Sequence, residues 1–378
     1  MPGYELIDKN EANAVKKIFQ DGGVLFAHGF DKLRKNYHVR EFEEDVKKYF
    51  NVKYCLAVSS GTAAIKVGLK AMGVKSGDEV ITQAFNFIAT IEAILDIGAK
   101  PVLVNVDASL NMDPIDLDLK ISKKTKVVIP VHMLGYPCNM EKIKKICKKK
   151  NIKILEDNCE SVGAKYNKQW LGNIGDLGVF SFDYGKTITT GEGGMILTNN
   201  KKYYEISKEY HDHGHKNIKG ISRGNDKMSI AGFNYRMTEI QGAIGKVQLK
   251  KLNKLLLNNK KKYEILKNNI NNYKKRILQF KGTSNFDCYI FYIRQEKEKK
   301  AIIKILKKYK IGTKNLPDAL KWHCAYYWKH IFNNSEILKI KFTKDLLNKA
   351  IAIPIFYKKS LKLYKKIALE INNCCEKY

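Results

Sequence analysis

Residues 54–73 read YCLAVSSGTAAIKVGLKAMG. The apolar run from Tyr54 to Val58 predicts a buried strand, Ser59, Ser60 and Gly61 a turn, and the residues from about Thr62 a helix. Strand-like and helix-like stretches go on alternating along the chain. DEVITQAF (78–85) leads into NFIATIEAILDIGA (86–99), KPVLVNVD (100–107) follows, and TKVVIPVHM (125–133) precedes NMEKIKKICKKKN (139–151). IKILEDN (152–158), DLGVFSFD (176–183) and GGMILTNN (193–200) come after. Short β-branched runs bounded by Gly, Asp and Asn are the signature of buried strands, and their alternation with helices implies an α/β fold with a mainly parallel sheet.

Beyond about residue 245 the texture changes. Residues 246–275 predict a long, lysine-rich amphipathic helix. FDCYIFYIRQ (286–295) alternates like a half-buried strand, EKEKKAIIKILKKYK (296–310) is helical in pattern, and an aromatic patch LKWHCAYYWKHIF (320–332) follows. The expected division is a large domain over 1–250 and a smaller α+β domain over 251–378.

Composition narrows the function classes. With 378 residues and 44% hydrophobic content the chain can bury a sizeable core. The first residues, MPGYELIDKNEANAVKKIF, have no apolar signal core, and no apolar run is long enough to cross a bilayer, so a cytoplasmic protein without membrane insertion is expected. The eight cysteines include no C-x-x-C pair, which points to reduced, mostly buried thiols. The net charge of +31 invites a nucleic-acid reading. The basic residues instead cluster on helix-like polar faces such as EKIKKICKKKN, without interleaved aromatics, within a general Lys, Asn and Ile bias. No nucleic-acid partner is expected; an anionic small substrate is compatible with the charge.

Three stretches carry chemistry. The turn after the first strand presents free N–H groups at a helix start beside a close-approach glycine, so Gly61, Thr62 and Ala63 form a candidate phosphate site. Taken alone it is equally an ordinary N-cap. G-x-G-x-x-G and G-K-[ST] are absent, so neither a Rossmann dinucleotide site nor a P-loop is supported. In IKILEDNCESVGA (152–164) a strand delivers Glu156 and Asp157 at its carboxyl end, where open α/β sheets place ligands. A carboxylate there can serve as a metal ligand, a base, a helix cap or the partner of a cationic ring nitrogen. In SFDYGKTITTGEGG (181–194), Lys186 is the one charge between Asp183 and Glu192, with Gly185, Gly191, Gly193 and Gly194 around it. A lysine sheltered at a strand end loses ammonium solvation and becomes a nucleophile toward carbonyl carbon. An anion site, a strand-end acid and a sheltered lysine, in that order, match the needs of pyridoxal 5'-phosphate.

At these residues the chain resembles the DegT/DnrJ/EryC1/StrS sugar aminotransferases, which are fold-type I pyridoxal-phosphate enzymes. The resemblance runs from about residue 10 to the C-terminus. It is carried by VSSGTAAI (58–65), EDNCESVGA (156–164), GDLGVFSFDYGKTITTGEGGM (175–195) and GFNYRMTEIQGAIGKVQL (232–249). It implies a three-layer α/β/α large domain and a smaller C-terminal α+β domain. It implies that Lys186 carries the cofactor and acts as the catalytic base, with Asp157 at the ring nitrogen. Glu160 falls near the phenolic oxygen, and Phe87 in QAFNFIAT stacks on the ring. Gly61, Thr62 and Ser181 contact the phosphate, with Ala63 beside them. Asn234 reaches the phosphate of a neighbouring subunit, which implies a homodimer with shared active sites. Gln83 departs from the pattern, since many relatives have proline there.

HDHGHKN (211–217) places His211, His213 and His215 at alternate positions, a spacing that suits a metal on a strand. No cysteine or carboxylate cluster completes such a site, and no metal is expected. The resemblance instead puts this loop at the substrate pocket, with His213 and His215 as candidate substrate contacts; His323, beside Trp322, is a further candidate contact, from the smaller domain. The implied reaction moves an amino group from L-glutamate to a keto- or aldehydo-sugar in surface-polysaccharide biosynthesis. FDYGKTITTGEGG, HDHGH, GFNYRMTE and LKWHCAYYWKH are most similar to transaminases acting at C8 of 8-oxo-3,8-dideoxy-manno-octulosonate. Perosamine-type synthases, which aminate a nucleotide-linked 4-keto-6-deoxyhexose, are the alternative. A same-fold sugar dehydratase is disfavoured, because such members replace the lysine with histidine and Lys186 is retained.

Overall fold

Strand β1 (Tyr54–Val58) and the helix Gly61–Ala71 form the unit that the opening stretch predicts, joined by Ser60, whose hydroxyl oxygen accepts the Ala63 N–H at 3.0 Å. The computed structural model describes residues 3–218, 220–271, 273 and 276–375. Along them follow β2 (Glu79–Gln83), β3 (Lys100–Val104), β4 (Thr125–Ile129), β5 (Lys153–Asp157), the short hairpin β6 (Lys165–Tyr166) and β7 (Gln169–Trp170), β8 (Leu177–Ser181) and β9 (Gly194–Thr198). Seven of these make one sheet in the order β1-β9-β8-β5-β4-β2-β3. Strands β8, β5, β4, β2 and β3 run parallel, and β9 runs antiparallel to both β8 and β1.

The strands are buried on both faces because helices cover both. Along β8 the side chains alternate: Leu177 and Val179 join Ile65, Val67 and Leu155 on one face, while Phe180 joins Phe42, Val46 and Phe50 of the helix His38–Phe50 on the other. Toward the other edge, Ile81, Val128 and Ile154 pack on Met140, Ile143 and Cys147 of the helix Met140–Lys149. Each such fully buried aliphatic or aromatic side chain contributes about 1.5–3 kcal/mol. This is the three-layer α/β/α arrangement expected, with a mainly parallel sheet. Among the described residues no helix is long and apolar enough to cross a membrane.

The helix Glu239–Asn269 starts seven residues earlier than its lysine-rich pattern suggests, because Thr238 and Gln241 of GFNYRMTEIQ form a capping box. Residues 272, 274 and 275 of the predicted stretch lie outside the described residues. Position 250 falls inside this helix. Beyond it, β10 (Cys288–Tyr292) pairs antiparallel with β11 (Ala350–Pro354). FDCYIFYIRQ reads as half-buried, but Cys288, Tyr289, Ile290 and Phe291 are all buried. Tyr289 packs on Tyr263 of the long helix and Phe291 on Tyr273, and all four residues join the core that also holds Leu155 and Val179.

Candidate active site

Parallel pairing puts Asp157 of β5 opposite Val179 of β8, so Asp157 and Ser181 leave the sheet at the same carboxyl edge. The turn after β1 closes on them. A Cβ on Gly61 would lie 2.8 Å from Ser181 Cβ and 3.1 Å from Cys159 Sγ, so the backbone approaches this closely only as glycine. The N-terminus of the helix Gly61–Ala71 opens into this corner. Its Ala63 N–H goes to Ser60 Oγ and its Ala64 N–H to the Ser60 carbonyl, each at 3.0 Å. The N–H groups of Gly61 and Thr62, first in the helix, have no acceptor within it; that of Ala63, expected beside them, is taken by the cap.

Asp157 is 3% exposed and held from two sides. Its Oδ1 accepts the Cys159 N–H at 3.0 Å and its Oδ2 accepts the Thr90 hydroxyl at 2.8 Å. Thr90 lies on the helix Ile88–Asp96, whose approach is fixed by Asn86 Nδ2 donating to Thr82 Oγ1 at 3.2 Å and by the Thr82 hydroxyl donating to the Ile129 carbonyl at 2.9 Å. The neighbouring acid does different work. Glu156 accepts the N–H groups of Gly172, Ile174 and Gly175 at 3.1, 2.6 and 2.6 Å. His132 Nδ1 accepts the Cys138 N–H at 3.0 Å, which puts its proton on Nε2 for donation to Glu156 at 3.2 Å. Of the two strand-end acids, Glu156 therefore shapes the loop before β8, and Asp157 is the one set at the corner.

Glu160 is 8% exposed. Its carboxylate accepts the Leu134 N–H at 3.0 Å and Asn315 Nδ2 at 3.3 Å, and it lies 4.0 Å from His323 Nε2. Burial pushes this carboxyl up, but the charges of Lys186, Lys314 and His323 and the Leu134 N–H outweigh it and bring the pKa down to about 2. Lys186 is half-buried, and its field reaches both Glu160 and the Cys159 thiol. Its loop is pinned where the Lys186 N–H donates to the Asp183 carbonyl and the Gly3 N–H donates to the Lys186 carbonyl, both at 3.0 Å. Phe87, 41% exposed, stands at the mouth with its ring 5.5 Å from that of His323. Gly61, Ser181, Asp157, Glu160, Lys186, Phe87 and His323 are thus gathered at one sheet edge.

The loop after residue 210 is built differently. Asn234 is exposed and bridges to the backbone of Asp212, His213 is exposed with φ at 53°, and half-buried His215 lies 3.7 Å from Asp226. The centre of the loop is Asp212, whose carboxylate accepts Arg223 at 2.8 and 2.5 Å and Arg236 at 2.6 Å. Its histidine neighbours are held neutral by burial, His211 at about 4 and His28 at about 3. Among the described residues no group of three His, Cys, Asp or Glu side chains is arranged to hold a metal. The loop reaches the rim of the site through Tyr235, whose carbonyl accepts the Ser59 N–H at 2.7 Å.

Sequence reasoning missed Thr90, Lys314, Asn315, Asn285 and Asp287. Thr90 had a signal, since it follows Phe87 by three residues and so shares a helix face with that position. The other four are distant in sequence and are brought in by the packing of the C-terminal unit.

The profile of the DegT/DnrJ/EryC1/StrS aminotransferase family matches residues 7–371. A curated relative, the GDP-perosamine synthase of Escherichia coli O157:H7, is 37% identical over 241 residues, 63% of this chain and 64% of that one. The chain thus spans 64% of that relative's length. The aminotransferase from Psychrobacter cryohalolentis shares the fold with a TM-score of 0.87, at 24% identity over 98% of each chain. The E. coli GDP-4-keto-6-deoxy-D-mannose-3-dehydratase with bound hydrated pyridoxal phosphate matches with a TM-score of 0.80, at 25% identity over 97% of each chain. The fold alone does not separate amination from dehydration. Because the family profile runs through every motif at this sheet edge and on into the C-terminal unit, the chain belongs to the DegT/DnrJ/EryC1/StrS aminotransferase family.

Proposed function

We propose that the protein is a pyridoxal-phosphate-dependent aminotransferase moving an amino group from L-glutamate to a keto- or aldehydo-sugar. The observation that carries this reading is the meeting, at one sheet edge, of a glycine-lined helix start, a fixed buried acid and a half-buried lysine. The residues fit the cofactor: the helix start at Gly61 carries no side chain and lies directly against Ser181, which brings backbone N–H groups and a hydroxyl together for a phosphate. When bound, pyridoxal phosphate supplies a carbonyl that exchanges amino groups and a ring that takes up the electron pair of a deprotonated carbon.

The chain's own residues divide the remaining tasks. Gly61, Thr62 and Ser181 hold the phosphate, and Phe87 covers a ring face. Asp157, oriented by Thr90 and the Cys159 N–H, receives the ring-nitrogen proton in a hydrogen bond. Glu160 accepts a hydrogen bond on the phenolic side. Lys186 Nζ anchors the cofactor and is the base that takes the proton from the α-carbon of L-glutamate and returns one to the former carbonyl carbon of the sugar. Asn234 completes the phosphate site of a second copy in a homodimer. His323, against Phe87 and Glu160, contacts the substrate, as do His213 and His215 from the loop.

For the sugar, the similarity of FDYGKTITTGEGG, HDHGH, GFNYRMTE and LKWHCAYYWKH supports amination at C8 of 8-oxo-3,8-dideoxy-manno-octulosonate. The identity with a GDP-perosamine synthase supports a nucleotide-linked 4-keto-6-deoxyhexose as the second reading. Retention of Lys186 supports amination over dehydration. A mass-spectrometric screen of both sugars with L-glutamate decides between them. A product gaining an amino group from the octulosonate alone upholds the first reading, amination of the nucleotide sugar alone replaces it with the second, and loss of water without amination overturns both.

A further inference from the structure

A buried ion pair lies behind the site. Lys314 and Asp287 are 4% and 2% exposed, with Lys314 Nζ 3.5 Å from Asp287 Oδ2. The Asp287 carboxylate also accepts the Thr187 hydroxyl at 2.9 Å, Asn285 Nδ2 at 3.2 Å and Asn259 Nδ2 at 3.4 Å. Asn285 Nδ2 shares its two hydrogens further, with the Glu160 carbonyl at 3.0 Å and Thr187 Oγ1 at 3.2 Å. Asn315, next to Lys314, donates to the Glu160 carboxylate at 3.3 Å. Apart from Asn259, on the helix Glu239–Asn269, the branches of this cluster end on the site: on Glu160, by side chain and by backbone, or on Thr187, bonded to Lys186.

A buried pair of this kind is costly to desolvate, and well-packed apolar residues of the same size would often serve stability as well. Its connections give it a different use. We propose that Lys314, paired with Asp287, is a positioning residue. Through Asn315 and Asn285 it orients Glu160, and through Thr187 it orients the loop of Lys186, so that the C-terminal unit sets the reacting geometry of the large one. This rests on Lys186 and Glu160 facing the cofactor. The charges facing Glu160 are Lys186 from the loop after β8, Lys314 from the segment before Pro317, and His323 from the helix Leu320–His323. Those facing Lys314 are Asp287, the Cys288 thiol and Glu160.

The test uses the full chain with Lys314→Met and with the double variant Lys314→Met/Asp287→Asn, which leaves no buried charge unpaired if the single variant fails to fold. Each protein is titrated with pyridoxal phosphate, and the visible band of the lysine-bound cofactor is followed from about pH 5 to about pH 9. Thermal midpoints of the cofactor-free proteins and kcat and KM for L-glutamate complete the set. A positioning role predicts that the double variant still takes up the cofactor. The pH midpoint of its band moves by about half a unit or more, and kcat falls about tenfold with KM within about twofold. Wild-type midpoint and kcat in the double variant would overturn the proposal. So would a lowered thermal midpoint and weakened cofactor uptake with the pH midpoint of the band unmoved, which marks a merely structural pair, and so would a double variant that takes up no cofactor. Absence of the band in the wild-type protein overturns the reading of Lys186 itself, and the proposal with it.

Discussion

Asp157 and Glu156 show how little a residue's position in the sequence says about its task. Both end the same strand, both are buried, and the same stretch IKILEDN predicts them together. The backbone N–H groups of Gly172, Ile174 and Gly175 claim Glu156, and Thr90 orients Asp157 toward the corner. Asp157→Asn is therefore expected to leave the fold and the thermal midpoint nearly unchanged while lowering the rate with L-glutamate by about 10²-fold or more, because an amide no longer favours the protonated ring nitrogen. Single-turnover kinetics with L-glutamate check it; a rate within about threefold of wild type removes Asp157 from its assigned role. Lys186 was legible because it stands alone among small and aromatic residues. Thr90 was not singled out, since a lone threonine on a helix has many ordinary uses and its partner is 67 residues away.

At the scale of elements, the β–turn–helix unit at 54–73 and the strand runs at 79–83, 100–104, 125–129, 153–157 and 177–181 could be read from apolar runs bounded by turn residues. What local pattern did not contain was coverage. β10 reads as half-buried and is buried, because the long helix and Tyr273 reach it from far along the chain. The start of that helix was displaced because a capping box, rather than lysine periodicity, decides where it begins. Strand β8, which delivers Ser181, depends on a close approach to the loop that Glu156 shapes: a Cβ on Gly178 would lie 2.2 Å from the Gly172 carbonyl oxygen. Gly178→Ala is expected to cost about 2 kcal/mol or more, since backbone rather than a flexible side chain must move. Urea denaturation of the variant checks this, and a loss within about 0.5 kcal/mol contradicts the packing described.

At the scale of the whole molecule, the gathering of the site depends on contacts that span the chain, from Phe87 on His323 to Asn315 on Glu160. A sequence shows the groups but not these pairings, which arise when the C-terminal unit packs on the sheet. The fold also builds in a pH dependence. Burial holds His211 at about 4 and His28 at about 3, below the 6.5 of a solvated imidazole. The folded state therefore favours the neutral rings. That contribution is complete above about pH 6.5 and is lost as the pH falls toward 4, at up to about 1.4 kcal/mol per unit for each histidine. Thermal midpoints should decline between about pH 7 and about pH 5 and decline less in His211→Gln. Equal slopes for the two proteins would contradict a neutral, buried His211.

The central claim is that Lys186 holds pyridoxal phosphate and moves the proton in amino transfer, and the most direct measurement is the visible absorbance of purified protein incubated with pyridoxal phosphate. The wild-type chain is predicted to acquire the band of a lysine-bound cofactor and to lose it on addition of L-glutamate, while Lys186→Ala acquires no such band and does not turn over glutamate. A wild-type protein with no band, or a Lys186→Ala protein that still turns over glutamate, contradicts the account.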